Sequence, residues 1–106
     1  MIDLPLTSGQ KLDIAFHEFD QANPHVYRMF RDLAVKVKVR GHNRWGAKSL
    51  WEVLRWELAI NTRSPVDQPK LNNSYVSRYA RKLVLEDPEE WEGFFEMRKL
   101  RKNTNA

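Results

Sequence analysis

The segment from Asn73 to Leu85 carries the side chains whose types and spacing best suit binding chemistry. Helical spacing places four polar side chains on one side, namely Ser74, Ser77, Arg78 and Arg81. Arginine can bond guanine through two hydrogen bonds, and serine and asparagine can meet base edges or phosphates. The segment therefore predicts a helix that reads the major groove of double-stranded DNA, through Asn73, Ser74, Tyr75, Ser77, Arg78, Arg81 and Lys82. A surface helix with solvated arginines fits the same pattern equally well.

A second basic cluster lies in "RGHNRWGAKS", where cations surround a turn. Arg40, Arg44 and Lys48 could neutralise DNA phosphates beside the start of a helix at Ala47, and Lys70 adds a fourth contact before the Asn73 segment. The alternative is a solvated connector whose Trp45 covers the edge of the core. Both interpretations stay open, because phosphate contacts carry no sequence information.

No catalytic or metal-binding constellation is apparent. The three histidines, His17, His25 and His42, form no ligand motif, and the chain has no cysteine to complete a zinc site. The four glycines are scattered, so no phosphate-binding loop is predicted. The acidic run from Glu86 to Glu96 lacks the pattern of a calcium loop. We therefore expect no enzyme activity, no metal and no cofactor.

Charge is arranged in blocks along the 106 residues, whose net charge is +4. Between Arg28 and Lys48 the only acid is Asp32, whereas the run from Glu86 to Glu96 is acidic and holds no base. One face of the fold should therefore be positive, which favours a polyanionic partner. No apolar run approaches the ~20 residues that cross a bilayer, so no membrane partner is predicted.

The helical periodicity that positions these residues predicts an all-α, compact bundle of four to five helices. A single domain should span 8–100, with flexible termini at 1–7 and 101–106. "VKVKV" alternates like a strand, but helix is preferred because the apolar stripe from Val26 continues through it to a stop at Gly41. Asn23 and Asp87 should cap helices that begin at prolines. The expected helices run from 8 or 9 to 21, 24 to 40, 47 to 60, 72 or 73 to 85, and from 88 through Trp91, Phe94 and Phe95.

Two of these helices resemble the helix-turn-helix of DNA-binding repressors. "NSYVSRYARK", with Val76, Ser77 and Arg78 at its centre, is similar to the second helix, and "AKSLWEVLR" is similar to the first. About 12 residues separate them, rather than the usual three or four, so the resemblance implies a widened or winged variant.

The chain also resembles a family of small, poorly characterised bacteriophage and prophage proteins. The residues that carry the resemblance are "FDQANPHVYRMF", "WGAKSLWEVLRWELAINT", "KLNNSYVSRYARKL" and "EGFFEMRKLR". It implies a phage protein in the cytoplasm of a bacterial host, and small phage proteins often regulate transcription or block a host protein. We expect a DNA-binding transcriptional regulator or accessory protein. The alternative is an anti-defence inhibitor or adaptor that binds a host protein through its acidic run and exposed parts of Trp91, Phe94 and Phe95. The oligomeric state stays open.

Overall fold

The computed structural model describes residues 4–95 and confirms the all-α prediction. No strand is formed in these residues, and "VKVKV" belongs to the second helix, as expected. Two short 3-10 turns, Pro65–Asp67 and Asn73–Tyr75, lie between the third and fourth helices. The helices are α1 (Ser8–Ala22), α2 (Pro24–Val39), α3 (Ala47–Asn61), α4 (Val76–Glu86) and α5 (Pro88–Trp91). The predicted flexible segment 101–106 lies outside the described residues, as do the first three residues of the predicted lead-in.

The helix boundaries follow local chemistry, with two corrections to the predicted caps. Gly41 stops α2 at a φ of 102°, a conformation that favours glycine. Asn72 accepts a hydrogen bond from the Ser74 backbone at 2.8 Å, as a cap should. Asn23 does not cap α2, because its side-chain amide instead donates to the Phe19 carbonyl at the end of α1. At Asp87 the backbone carbonyl, rather than the side chain, accepts the hydrogen bonds that start α5.

The core forms where α2, α3 and α4 meet. Its centre is the fully buried Tyr79, whose ring centroid lies 5.4 Å from that of Trp51 and 6.0 Å from that of Phe30. The apolar stripe predicted from Val26 along α2 is largely confirmed, and the helical period of α4 likewise buries Tyr79, Ala80 and Leu83. On α3 the helical period groups Val53 with Leu50, Leu54 and Leu58; these three leucines are buried, whereas Val53 is 43% exposed because it lies at the edge of the buried side. The sixteen residues buried here include no charged side chain; they comprise Val26, Phe30, Leu33, Ala34, Ala47, Leu50, Trp51, Leu54, Leu58, Tyr75, Tyr79, Ala80, Leu83, Trp91, Phe94 and Phe95.

The segment after α4 closes one end of the core. Trp91, Phe94 and Phe95 are all buried, so the prediction that they offer an exposed surface is wrong. Phe94 and Phe95 also lie beyond the end of α5, which stops at Trp91; Gly93 follows in the turn at a φ of 81°, a conformation that favours glycine. The Trp45 backbone N–H donates to the Phe94 carbonyl at 2.9 Å, which ties the α2–α3 connector to this segment.

The connection between α3 and α4 is wide rather than winged. It runs over residues 62–75, contains only the two 3-10 turns and forms no strand in that stretch. Within residues 4–95 no helix has the length and apolarity needed to cross a bilayer.

Candidate nucleic-acid interface

The outer face predicted for α4 exists only in part. Ser74, Ser77 and Arg81 are exposed, as the helical spacing indicated. Tyr75 is not on this face: it is buried and packs against Phe16 and Phe19, with ring centroids 5.7 and 5.3 Å away. The reason is the 3-10 turn that precedes α4, which directs the Tyr75 side chain beneath α1. Tyr75 is therefore a packing residue that no DNA can reach in this conformation.

The cations of α4 are held by carboxylates of α1. The Arg78 Nε lies 2.6 Å from the Asp13 carboxylate, and the Arg78 side chain is only 16% exposed. Lys82 forms an ion pair with Asp20 and lies 4.1 Å above the centre of the Tyr27 ring. The donor groups of both side chains are therefore already hydrogen-bonded within the protein, whereas contacts to DNA bases or phosphates would need them free. The structure thus brings Arg78 and Lys82 to the groove between α1 and α4 and not to an open face.

Two tyrosines beside this groove have perturbed acidity. Burial, and then the hydrogen bond that its hydroxyl donates to Glu86 at 2.6 Å, raise the pKa of Tyr27 well above its ordinary value. Burial, and then the charge of Asp20, raise the pKa of Tyr79 in the same way. The Tyr79 hydroxyl and the Asp20 Oδ1 atom are buried and have no hydrogen-bond partner within residues 4–95. Both tyrosines therefore stay neutral at physiological pH.

The 3-10 turn that precedes α4 is also engaged by the protein itself. Asn73 accepts a hydrogen bond from the Arg55 guanidinium, whose Nε atom lies 3.2 Å from the Glu52 carboxylate. Arg55 was not among the predicted site residues, and its position on α3 gives no sequence signal for a contact 18 residues away. Lys70 is exposed at the edge of a cleft of about 710 Å³ that Arg55 also lines. Its predicted phosphate contact stays a prediction.

The remaining predicted phosphate contacts lie at the end of α2 and in the connector after it. Arg40 and Arg44 are exposed. Lys48 is exposed as well, with its Nζ 3.7 Å from Glu52 one turn along α3. Lys48 pairs within α3, whereas the carboxylates that hold Arg78 and Lys82 lie on α1, and no ion pair within residues 4–95 links the two predicted groups.

Arg40 and Arg44 belong to a larger cationic surface that the sequence prediction did not assign as a site. The exposed side of α2 adds three cations to them, with Asp32 the only acid in this part of the chain. No ion pair within residues 4–95 involves any of these five cations. The signal that could have identified them is the block of positive charge from Arg28 to Lys48. We call this the α2 basic surface, made of Arg28, Arg31, Lys36, Arg40 and Arg44.

Comparison with known protein families, curated proteins and solved structures gives no match to this chain. The arrangement itself defines an all-α domain whose second helix and following connector carry five exposed cations. The resemblances to phage proteins and to helix-turn-helix repressors stay predictions.

Proposed function

We propose that the protein binds DNA through the phosphate groups that its α2 basic surface contacts. The observation that carries the proposal is that the five cations of this surface are exposed and make no ion pair within residues 4–95. Exposed cations that bind DNA phosphates release the counterions condensed on the DNA, and this release supplies most of the non-specific affinity. Cations already held by carboxylates, such as Arg78 and Lys82, supply little of it.

This proposal moves the interface from α4 to α2. A groove-reading α4 would need Arg78 free and Tyr75 exposed, and the geometry supports neither. Contacts from α2 and its connector fix a protein on the phosphate backbone and do not select a sequence. A role as an accessory DNA-binding protein of a phage, in the cytoplasm of its bacterial host, fits this surface better than sequence-specific regulation.

The test is a binding isotherm with duplex DNA at several salt concentrations. If about four of the five cations each neutralise one phosphate, the logarithm of the binding constant should fall with the logarithm of salt concentration at a slope near −3.6. Arg28→Ala should reduce that slope by about 1. A dissociation constant no better than millimolar at low salt would show that the protein does not act through DNA phosphates.

A second candidate function is supported by the outer side of α3. Trp56 is 65% exposed there, and Val53 and Ile60 lie on the same side one turn before and after it. Tryptophan anchors are typical of protein interfaces, and an apolar stripe at this spacing suits an amphipathic helix of another protein. We propose that an adaptor or inhibitor role of the protein would use this stripe. The acidic residues after α4 would be secondary, since the aromatic residues beside them are buried.

Affinity capture from a nuclease-treated host lysate separates the two functions. A protein retained by the wild type and lost with Trp56→Ala supports the α3 stripe. The Leu85→Ala variant is the matched control, because Leu85 is 74% exposed on a different helix. A partner that disappears after nuclease treatment supports DNA binding instead.

A further inference from the structure

A cleft of about 470 Å³ lies beside the end of α2 within the α2 basic surface. Its lining includes the apolar and aromatic side chains of Val35, Val39 and Trp45. Lys36 and Arg40 also line it, and no acidic residue does. A cleft with this combination of walls suits a ligand that is flat and apolar in one part and anionic in another.

The aromatic wall of the cleft is held in place by the backbone. The His42 and Trp45 rings meet edge to face, with centroids 4.7 Å apart and planes inclined by 64°. The Gly41 N–H donates to the Lys38 carbonyl at 3.0 Å, and the Trp45 N–H donates to the Phe94 carbonyl at 2.9 Å. Both ends of the short connector are therefore fixed, and little ordering would be needed when a ligand enters.

The ligand that fits these walls is a nucleobase with its flanking phosphates. Proteins bind single strands by combining a cationic groove for the backbone with aromatic side chains on which bases stack. A duplex keeps its bases stacked inside and offers only phosphates to such a surface. The exposed apolar side chains here are too few for a membrane-bound helix, which needs a broad apolar face, because on this side of α2 only Val35 and Val39 are apolar and exposed.

We propose that this cleft holds an unpaired base of a single-stranded nucleic acid, with the neighbouring phosphates on Lys36, Arg40 and Arg44. The inference rests on the proposed nucleic-acid binding and adds the strand type. Val39 is 77% exposed at the cleft, so it contacts the base and can be replaced without disturbing the core.

The first experiment compares an oligothymidylate of about 12 nucleotides with a duplex of the same length. The single strand should bind at least about tenfold more tightly. His42→Ala should lower the affinity for the single strand about tenfold and change that for the duplex by less than about twofold. Val39→Ser should also lower the affinity for the single strand. The control is Val66→Ser, at a position that is 90% exposed in the α3–α4 connection, and it should change the affinity for neither DNA.

The second measurement is tryptophan fluorescence in a Trp56→Phe background. Trp51 and Trp91 are buried, so quenching by the oligonucleotide in this variant would report on Trp45. Quenching that His42→Ala weakens supports the proposal.

The outcomes separate this inference from the proposed function. Equal affinity for both strand types, unaffected by His42→Ala, overturns the cleft while leaving phosphate binding intact. If neither the single strand nor the duplex binds at low salt, both the cleft proposal and the proposed function are wrong. Binding to vesicles rich in anionic lipid, without binding to the oligonucleotide, overturns both in favour of a membrane surface.

Discussion

At the scale of one residue, Arg78 shows that an ion-pair partner within the protein can occupy a side chain that its sequence context assigns to DNA. Its sequence context predicts a base-reading arginine, yet its guanidinium holds Asp13, which is 65 residues away in the chain. The charge is neutralised locally and the side chain is largely buried. No spacing rule within α4 could reveal this contact, because it depends on where α1 packs.

We predict that Arg78→Ala affects stability more than DNA binding. Loss of a partly buried, charged hydrogen bond should lower the free energy of unfolding by about 1 kcal/mol. The affinity for DNA should change by less than about twofold. Urea unfolding and a binding isotherm measure the two effects, with the exposed Arg81→Ala as control. A tenfold loss of affinity at unchanged stability would restore α4 as the interface.

Tyr79 gives a prediction at alkaline pH. Its pKa is raised in the folded protein, so above the ordinary tyrosine value of about 10 the unfolded chain loses a proton that the folded chain retains. Stability is therefore fully present below that pH and falls as pH rises, by up to about 1.4 kcal/mol per pH unit for this group. Tyr79→Phe should make the fall shallower.

At neutral pH Tyr79→Phe should leave stability unchanged or raise it by about 1 kcal/mol, because the buried hydroxyl has no partner within residues 4–95. Urea unfolding at neutral and alkaline pH measures both effects. A loss of more than about 2 kcal/mol at neutral pH would show that the hydroxyl is hydrogen-bonded after all.

At the scale of elements, the ends of the helices were largely predictable and their contacts were not. Proline at the first position and glycine at Gly41 mark boundaries through backbone chemistry that is local to the sequence. The apolar period located the buried sides of α2 and α4. On α3 it located Leu50, Leu54 and Leu58 but did not separate the buried Trp51 from the exposed Trp56, because apolar residues occupy both sides of that helix.

Gly41 should be sensitive to substitution. At a φ of 102° a side chain is strained although open space surrounds the position, so Gly41→Ala should cost about 1 kcal/mol of unfolding free energy. Gly9→Ala is the matched control, since Gly9 lies inside α1 without a positive φ and meets only an ordinary contact at 3.9 Å, so it should tolerate alanine. Thermal unfolding of both variants checks this, and equal effects would contradict the strain argument.

α1 should be the first helix to open. It contains no buried residue, and it contacts α4 and the 3-10 turn before it through Phe16, Phe19 and two ion pairs. Its backbone amides should exchange with solvent faster than those of α2 and α3, which hydrogen–deuterium exchange measures. Equal protection in all three helices would mean that α1 belongs to the same cooperative unit.

At the scale of the whole molecule, the sequence shows that positive and negative charges are segregated. It does not show which cations are available to bind DNA. The block from Arg28 to Lys48 predicts one positive face, and the structure leaves six of its cations exposed, of which five make no ion pair within residues 4–95. Lys38 lies in the same block, yet it turns to Glu90, 2.8 Å away. Which cations remain free depends on long-range packing, which is why the α2 basic surface emerged only from the fold.

The most direct test of DNA binding through the α2 basic surface reverses two of its charges. A control variant reverses two exposed charges outside this surface. We expect Arg40→Glu with Arg44→Glu to weaken binding of a DNA oligonucleotide at least about a hundredfold and to reduce the salt slope by about 2. Lys11→Glu with Arg63→Glu changes the net charge equally at exposed positions outside the surface, and should weaken binding far less. Equal losses in the two double variants would contradict a localised interface on α2.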